Sequence, residues 1–235
     1  MYYQRNIKKR TTGKMMVGTR VIKTSLGQNS TLPIKDKKML NRIIDYLIYE
    51  KDHAITKKKY YLKYRNYMLI LIGINTAFRA EDLLQLKVKD VIKGYMSIKE
   101  NKTGKVQNFP LNKKFHQKIM EYIEEFKLIN NDYLFMGQKR TNTYNGVTSK
   151  IIYPITRQNC ASIFKKIAED CGITFKFGLH SLRKTFGYMY ILNGGKLVTL
   201  QKMYNHDKPT TTLFYVMWDS VDLEQERAST FLGDR

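Results

Sequence analysis

The motif His180-Ser181-Leu182-Arg183 carries two side chains that together can bind an oxyanion. Positions three apart on a helix share a face, so the His180 imidazole and the Arg183 guanidinium can converge while Leu182 turns toward the core. A guanidinium presents a planar fork of N–H donors that suits a pair of phosphate oxygens. The alternative is a surface His–Arg pair, because so short a motif also arises by chance.

Arg79 directly follows a strongly apolar helical stretch, and Asp82 comes three residues later. A guanidinium beside a core helix is costly unless a carboxylate or an anionic ligand compensates its charge. Asp82 could orient Arg79. Two interpretations therefore stay open: an internal Arg79–Asp82 ion pair, or an arginine held in place to bind an anion.

Lys102 lies in the turn of a predicted β-hairpin, with Lys99 and Lys105 on the same hairpin. Most lysines in such turns are simply solvated. A turn lysine can also be a mobile general acid that the hairpin delivers into a site, and Lys99 and Lys105 are rivals for that role. Further along the chain His206 precedes Tyr215, but the chain has 17 tyrosines and only context singles out Tyr215.

The net charge indicates a polyanionic partner. Lys and Arg number 42 against 20 Asp and Glu, which gives a formal charge of +22 at pH 7. Such an excess attracts nucleic acid at long range; an anionic membrane surface and simple solubility are the alternatives. The basic residues are scattered over many segments and not gathered on one amphipathic helix, which disfavours the membrane surface.

The two cysteines and the apolar runs indicate a reduced, soluble, cytoplasmic protein. On one helix Cys160 and Cys171 would lie about 16 Å apart, too far for a disulfide, so we expect packed thiols. No metal-ligand cluster accompanies them. The most apolar run, 67–74, is too short to span a bilayer, and we find no signal peptide.

A mostly helical chain with one small antiparallel sheet must position these residues. Apolar spacing predicts a central helix over about 60–76, and strands at 95–99 and 106–109 form the hairpin. Asn112 is a predicted helix cap, and Gly172 is the predicted stop of a helix that begins at Thr156. We also expect a strand at 88–92, a surface loop at 137–149, and further helices at 39–48, 81–86, 112–128, 180–192, 196–204, 209–216 and 221–231.

Taken together and in order, these motifs resemble the catalytic domain of the tyrosine recombinases, also called phage integrases. The family has an Arg box, a hairpin Lys, an H-x-L-R box, a G-H pair and then a Tyr. The corresponding segments here read T-A-F-R-A-E-D-L, N-K-T-G-K, H-S-L-R, N-H and T-T-T-L-F-Y, within about residues 33–226. Asn205 replaces the Gly before His206, and Asn tolerates the left-handed backbone that a tight turn needs.

The resemblance implies a site-specific recombinase that cleaves and rejoins double-stranded DNA through a 3′-phosphotyrosine, with no metal, ATP or other cofactor. Four subunits on two DNA sites would exchange strands, and we expect a monomer or weak oligomer without DNA, associated with the nucleoid. The implied roles are charge neutralisation by Arg79 and Arg183, nucleophilic attack by Tyr215, proton acceptance by His180, leaving-group protonation by Lys102, phosphate binding or tyrosine positioning by His206, and support by Asp82.

The implied fold class is α+β, mostly α-helical, with a catalytic domain over 33–235 and a basic arm over 1–32. We expect the arm to be flexible without DNA; a tail with no role is the alternative. Family members usually carry a helical DNA-clamping domain ahead of the catalytic one, and 32 residues are too few for its core. The arm or another subunit would then clamp the DNA. A tail helix within 218–235 would dock on a neighbouring subunit or fold back on its own domain.

Two other functions stay open. A type IB topoisomerase would share the chemistry but relax supercoils as a monomer. A non-catalytic regulator derived from an integrase would bind DNA without forming a covalent adduct, although the chain retains all six candidate residues. Plasmid relaxation and covalent trapping on DNA distinguish the three functions.

Overall fold

The fold is described by a computed structural model over residues 14–17, 20–23, 30–144, 147–217, 222, 224, 227 and 228. Its helices are α1 (Lys37–Asp52), α2 (Lys57–Asn75), α3 (Ala80–Leu84), α4 (Lys113–Glu125), α5 (Arg157–Cys171), α6 (Leu179–Leu192), α7 (Leu197–Tyr204) and α8 (Pro209–Val216). Its strands are β1 (Lys14–Val17), β2 (Arg20–Lys23), β3 (Tyr95–Lys99), β4 (Val106–Pro110), β5 (Met136–Tyr144) and β6 (Val147–Pro154). The prediction of a mostly helical α+β fold is confirmed.

Helix α2 is central, as its apolar sequence predicts. Met68, Leu69 and Ile70 are fully buried, and both α1 and α6 pack against the helix. Gly73 permits a close approach to α6, because a Cβ atom there would lie 2.3 Å from Leu182 Cδ1. This contact fixes the C-terminal half of α2, and with it the segment that leads to Arg79, against the first turn of α6.

Side chains and backbone conformation set the helix ends where the sequence predicts them. The Asn112 side chain accepts hydrogen bonds from the main-chain N–H groups of Lys114 and Phe115 at the start of α4. Helix α5 ends at Cys171, and Gly172 follows in the left-handed conformation (φ 69°), which glycine adopts without strain. The predicted cap and stop are confirmed, although α4 ends at Glu125 and not near 128.

A second, smaller apolar cluster joins the last three helices. Tyr188 of α6, Leu200 and Tyr204 of α7 and Val216 of α8 pack together with Ala77, which follows α2. Helices α7 and α8 also contact each other and α6. Their packing therefore brings the segment after α2 together with α6, α7 and α8.

The β3–β4 hairpin is the one that the sequence predicts. Its strands pair antiparallel from Tyr95 opposite Pro110 to Lys99 opposite Val106, and residues 100–105 form the turn. The predicted strand at 88–92 is wrong, because 88–90 form a 3-10 helix. The Asp90 carboxylate accepts a hydrogen bond from Lys87 N at 2.8 Å, and this local bond closes a turn that an extended strand cannot make.

The predicted surface loop at 137–149 is also wrong. Most of this stretch belongs to β5 and β6, which pair antiparallel with an irregularity between Met136 and Lys139. The loop was inferred from polar composition alone. Polarity predicts exposure and says little about backbone conformation, whereas threonine and tyrosine, both present here, favour strands.

The two ends of the chain are described only in part. Within the predicted basic arm, β1 pairs with β2, as β-branched Val and Ile residues permit; the remainder up to residue 29 lies outside the described residues. Most of the predicted tail helix at 218–235 lies outside them as well. Asp222 is described, and its carboxylate accepts hydrogen bonds from Lys35 and Tyr188, so at this residue the tail contacts its own domain.

Cys160 and Cys171 are buried and not joined to each other, as predicted. Within the described part of the chain, no helix is long and apolar enough to cross a membrane. The same residues contain no group of three or more His, Cys, Asp or Glu side chains that could hold a metal ion.

Candidate active site

One cleft collects all six residues that the sequence analysis singled out for chemistry. It has a volume of about 830 Å³. Six basic side chains line it (Arg79, Lys102, Lys105, Arg157, Arg183 and Lys208) together with two acidic ones (Glu81 and Asp207). His180, His206 and Tyr215 complete its polar wall. The excess of positive charge in one concavity makes the cleft a site for an anion.

The two arginines converge on one main-chain oxygen. Arg183 Nη2 donates to the carbonyl of Tyr204 at 2.9 Å, and Arg79 Nη2 donates to the same oxygen at 3.3 Å. Arg183 Nη1 also donates to the carbonyl of Ala77. The expectation that these guanidinium groups, far apart in sequence, meet in the fold is therefore met.

Arg183 is buried, and it donates hydrogen bonds to neutral main-chain carbonyls. Its residue exposure is 2%, and its guanidinium also lies 4.4 Å from the centre of the Tyr204 ring. Burial lowers the pKa of Arg183, yet a guanidinium stays protonated at neutral pH. A buried cation held by carbonyls and a ring keeps its full charge, which favours the binding of an anion beside it.

His180 lies at the first turn of α6, one helical turn before Arg183. Desolvation in the cleft lowers the pKa of His180, and the positive charges of Arg157, Lys184 and Arg183 lower it further. The ring is therefore neutral at pH 7 in the unliganded cleft. A neutral imidazole on the wall of an anion site can accept a proton.

His206 follows a left-handed turn at the end of α7. Asn205 adopts φ 51° and ψ 44°, the conformation that the sequence analysis expected asparagine to tolerate in place of glycine. His206 Nδ1 lies 3.1 Å from Thr212 Oγ1. Burial, with Arg183 and Arg79 adding to it, lowers the pKa of His206 to about 4, so its ring is also neutral at pH 7.

Tyr215 lies on α8 against this cluster. Its ring centre is 5.4 Å from that of His206 and 5.7 Å from the Arg183 guanidinium carbon. Burial raises the pKa of Tyr215, and the charges of Arg183 and Arg79 oppose that rise. The phenol is therefore protonated at pH 7 and needs a proton acceptor before it can attack as a nucleophile.

Lys102 lies in the turn between β3 and β4 and lines the cleft, as does its rival Lys105. Lys99, the other rival, is an exposed residue of β3 paired with Val106 and is not among the lining residues. Two of the three hairpin lysines are thus presented to the cleft, and the choice of Lys102 as general acid stays a prediction.

Arg79 and Asp82 do not form the ion pair that was one of the two interpretations left open. Arg79 Nη1 forms its ion pair with Glu100 Oε2 at 2.7 Å, while Asp82 Oδ1 accepts a hydrogen bond from Asn101 N at 2.9 Å. Helix α3 directs Asp82 toward the start of the hairpin turn, where it supports Asn101, and the charge of Arg79 acts on Asp82 without an ion pair.

Sequence reasoning missed Glu100, Tyr204 and Arg157. Glu100 had a signal: Met96, Ile98 and Glu100 share one face by strand alternation, and Met96 is fully buried. A charged residue at such a position indicates an internal ion pair. Tyr204 contributes through its main-chain oxygen, which has no sequence signal.

Comparison with known proteins identifies the family of the chain. Residues 36–220 match the model of the phage integrase family, and the chain therefore belongs to that family. A relative named probable integrase/recombinase YoeC, from Bacillus subtilis (strain 168), is 33% identical over 180 residues, which cover 76% of this chain and 87% of YoeC. Tyrosine recombinase XerA of Pyrococcus furiosus is 25% identical, over 71% of this chain and 56% of XerA.

Solved structures share the fold. The crystal structure of XerA recombinase aligns with a TM-score of 0.62 at 18% identity, over 86% of this chain and 68% of that one. A structure of the XerH site-specific recombinase aligns with a TM-score of 0.61 at 24% identity, over 86% of this chain and 54% of that one. The chain thus spans little more than half of XerH and of the XerA sequence from Pyrococcus furiosus.

Proposed function

We propose that this chain is a site-specific DNA recombinase that cleaves and rejoins DNA through a covalent 3′-phosphotyrosine at Tyr215. The observation that carries the proposal is the shared anchorage of Arg79 and Arg183 on the Tyr204 carbonyl, next to the Tyr215 ring. Two guanidinium groups fixed side by side can each bind one non-bridging oxygen of a phosphodiester.

In the cleavage step the Tyr215 oxygen attacks phosphorus, and the bond to the 5′-oxygen breaks. His180 accepts the phenolic proton, and Lys102 gives a proton to the departing 5′-oxygen. Arg79 and Arg183 bind the charge that builds up on the pentacoordinate phosphorus. His206 holds the phenol or contacts a non-bridging oxygen. The positive charges that these steps need come from side chains of the chain itself, so the proposed mechanism requires no metal. It requires no ATP either, for the reason given by the rejoining step.

Rejoining is the reverse reaction with a different 5′-hydroxyl. The phosphotyrosine retains the free energy of the broken bond, so a second strand end can displace Tyr215 without an energy source. Lys102 would then accept the proton of the incoming hydroxyl, and His180 would return one to Tyr215.

The proposed partner is double-stranded DNA. Structures with the same fold are described as a XerH recombinase bound to its difH substrate in a post-cleavage complex and a Tn1549 transposon integrase with circular intermediate DNA. The charge of +22 gives this chain the attraction that DNA binding needs. We propose four subunits on two DNA sites as the active assembly.

Covalent trapping tests the proposal. The substrate is DNA flanking the gene, nicked near the scissile phosphate so that the released end diffuses away. The wild-type chain is expected to form a denaturation-resistant adduct whose phosphopeptide contains Tyr215. Tyr215→Phe should form none, whereas Tyr190→Phe, a matched change on α6, should react like the wild type.

Three outcomes would contradict the proposal. An adduct that persists in Tyr215→Phe would assign the nucleophile to another residue. Tight binding of the same DNA with no adduct in the wild type would indicate a non-catalytic regulator. Relaxation of plasmids that lack a specific site, without exchange between two sites, would favour the topoisomerase.

A further inference from the structure

Glu100 is a buried charged residue that the proposed mechanism does not use. Its side chain is fully buried, and it directly precedes the turn that carries Lys102. Burial of a carboxylate is costly unless positive charge and hydrogen bonds compensate it. The contacts of Glu100 therefore indicate what the fold gains from it.

The carboxylate joins two parts of the cleft. Glu100 Oε2 accepts hydrogen bonds from Arg79 Nη1 at 2.7 Å and from Thr103 Oγ1 at 2.5 Å. Its other oxygen accepts from Gln107 Nε2 on β4. One side chain thus holds an arginine of the anion site, the turn beside Lys102 and the returning strand.

The main chain closes the turn around the same residue. Glu100 N donates to Lys105 O at 2.9 Å, and Gly104 N donates to Glu100 O at 2.9 Å. Asp82 anchors the other side of the turn through Asn101 N. These hydrogen bonds therefore hold both ends of the 101–105 turn in place, and Lys102 extends from this turn.

Glu100 is ionised at neutral pH. Burial by itself raises the pKa of Glu100, but the Thr103 hydrogen bond and the positive charge of Arg79 outweigh burial and leave that pKa below its ordinary value. The ionised form can hold Arg79 and Thr103 at once because a carboxylate oxygen accepts more than one hydrogen bond.

We propose that Glu100 is a positioning residue that sets the orientation of Arg79 and the placement of the Lys102 turn together. Phosphate binding and leaving-group protonation are then aligned by one carboxylate. The inference rests on the proposed function, since it assigns Lys102 and Arg79 to the same reaction.

The test separates the two tasks with a modified substrate. The nicked DNA is prepared with oxygen or with sulfur at the bridging 5′ position of the scissile phosphate. A thiol has a pKa of about 8.5 and leaves without a proton, so sulfur removes the need for Lys102 but not for the arginines. Single-turnover rates of adduct formation are compared on both substrates.

Glu100→Gln keeps the shape of the side chain but loses its charge, and its amide can turn an N–H group toward Arg79. We expect adduct formation on the oxygen substrate to fall about 100-fold, as for a small displacement of reacting groups. On the sulfur substrate the variant should recover part of the lost rate, and the loss that remains is due to the altered orientation of Arg79.

Thr103→Val removes only the link to the turn. This residue is exposed, so the variant should fold normally. We expect a loss of about tenfold on the oxygen substrate, the effect of one hydrogen bond, and full recovery on the sulfur substrate. Glu169→Gln is the matched control: it removes the same charge from an exposed residue of α5 paired with Lys165, and it should react like the wild type.

The outcomes distinguish this inference from the proposed function. A wild type that forms no adduct on any flanking DNA overturns both. A normal wild type with an equally fast Glu100→Gln overturns the positioning role alone. So does a Glu100→Gln or Thr103→Val rate that falls by the same factor on both substrates, because the turn would then not depend on Glu100. Melting temperatures within a few degrees of the wild type ensure that the rates compare folded proteins.

Discussion

Replacing Arg183 by lysine tests whether the cleft needs a fork of donors or only a positive charge. In the structure Arg183 gives two N–H groups to the carbonyls of Ala77 and Tyr204, and its side chain also lines the cleft. A lysine ammonium keeps the charge but cannot reach both carbonyls and a phosphate together. Arg183→Lys should therefore keep DNA binding and lose catalysis.

The expected size of the loss follows from the contacts. Removal of one oriented donor to a developing oxyanion costs about 100- to 1000-fold in rate. One buried carbonyl left without a donor costs about 1–3 kcal/mol of folding free energy. Nonspecific affinity for DNA depends on the number of cations, which does not change, so the Kd should stay within about threefold.

Single-turnover adduct formation and fluorescence anisotropy with the same DNA measure the two effects. Arg42→Lys is the matched control, because Arg42 is exposed and lies outside the cleft. A rate for Arg183→Lys near that of the wild type would refute the need for a fork. Parallel losses of rate and affinity would show that Arg183 is a docking contact.

Three further predictions concern the support of the site. Tyr204→Phe removes the hydroxyl that donates to the Arg183 carbonyl; urea denaturation should show a loss of about 1 kcal/mol, with the adduct still at Tyr215. His206 has its ordinary pKa of 6.5 lowered to about 4, so the unfolded chain binds its proton first as pH falls. Stability should decline from pH 6.5 to 4, and His206→Gln should make that decline shallower. Gly73→Ala forces a Cβ into Leu182 and should cost about 1–3 kcal/mol.

Each of these has a result that contradicts it. An adduct on another residue in Tyr204→Phe would show that Tyr204 does more than position Arg183. Identical slopes of melting temperature against pH in wild type and His206→Gln would mean that His206 has the same pKa in the folded and the unfolded chain. An unchanged Gly73→Ala would mean that α2 and α6 can separate freely; Ser162→Ala on the exposed face of α5 is its neutral control.

Local rules account for the parts of the fold that the sequence predicts correctly. The helix with Met68 to Ile72 is apolar on most sides, and such a helix can only be central. His180 and Arg183 share a face because of helical geometry alone. The turn with Lys102 follows from a Gly-containing turn between two strand patterns. None of these needs knowledge of distant contacts.

Two of the errors involve long-range partners or polarity. Arg79 was matched with Asp82 because the two are close in sequence, but the fold supplies Glu100, which lies 21 residues from Arg79. The stretch at 137–149 was assigned to a loop from its polarity, although a paired strand can be polar when solvent covers it. Pairings across the fold depend on tertiary structure, and single-sequence patterns do not contain them.

The pairing of Glu100 with Arg79 also bears on the charge of the proposed reaction. Arg79 and Arg183 together carry two positive charges, and Glu100 carries one negative charge, so the buried trio has a net charge of one. That charge matches a bound phosphodiester, which also has a single charge. The 5′-oxygen then leaves with a negative charge that none of these three groups neutralises, and a proton must neutralise it instead.

A lysine on a turn suits this requirement because its side chain can donate a proton to the leaving oxygen and remain accessible to solvent. An additional buried cation would bind the phosphate already in the ground state, and only the part of its interaction that grows in the transition state would speed the chemical step. Under the proposed function, the Glu100 carboxylate beside Arg79 keeps the phosphodiester from being bound too tightly before the reaction. In the proposed reaction the second charge would then come from Lys102, whose contribution would arise only as the bond to the 5′-oxygen breaks.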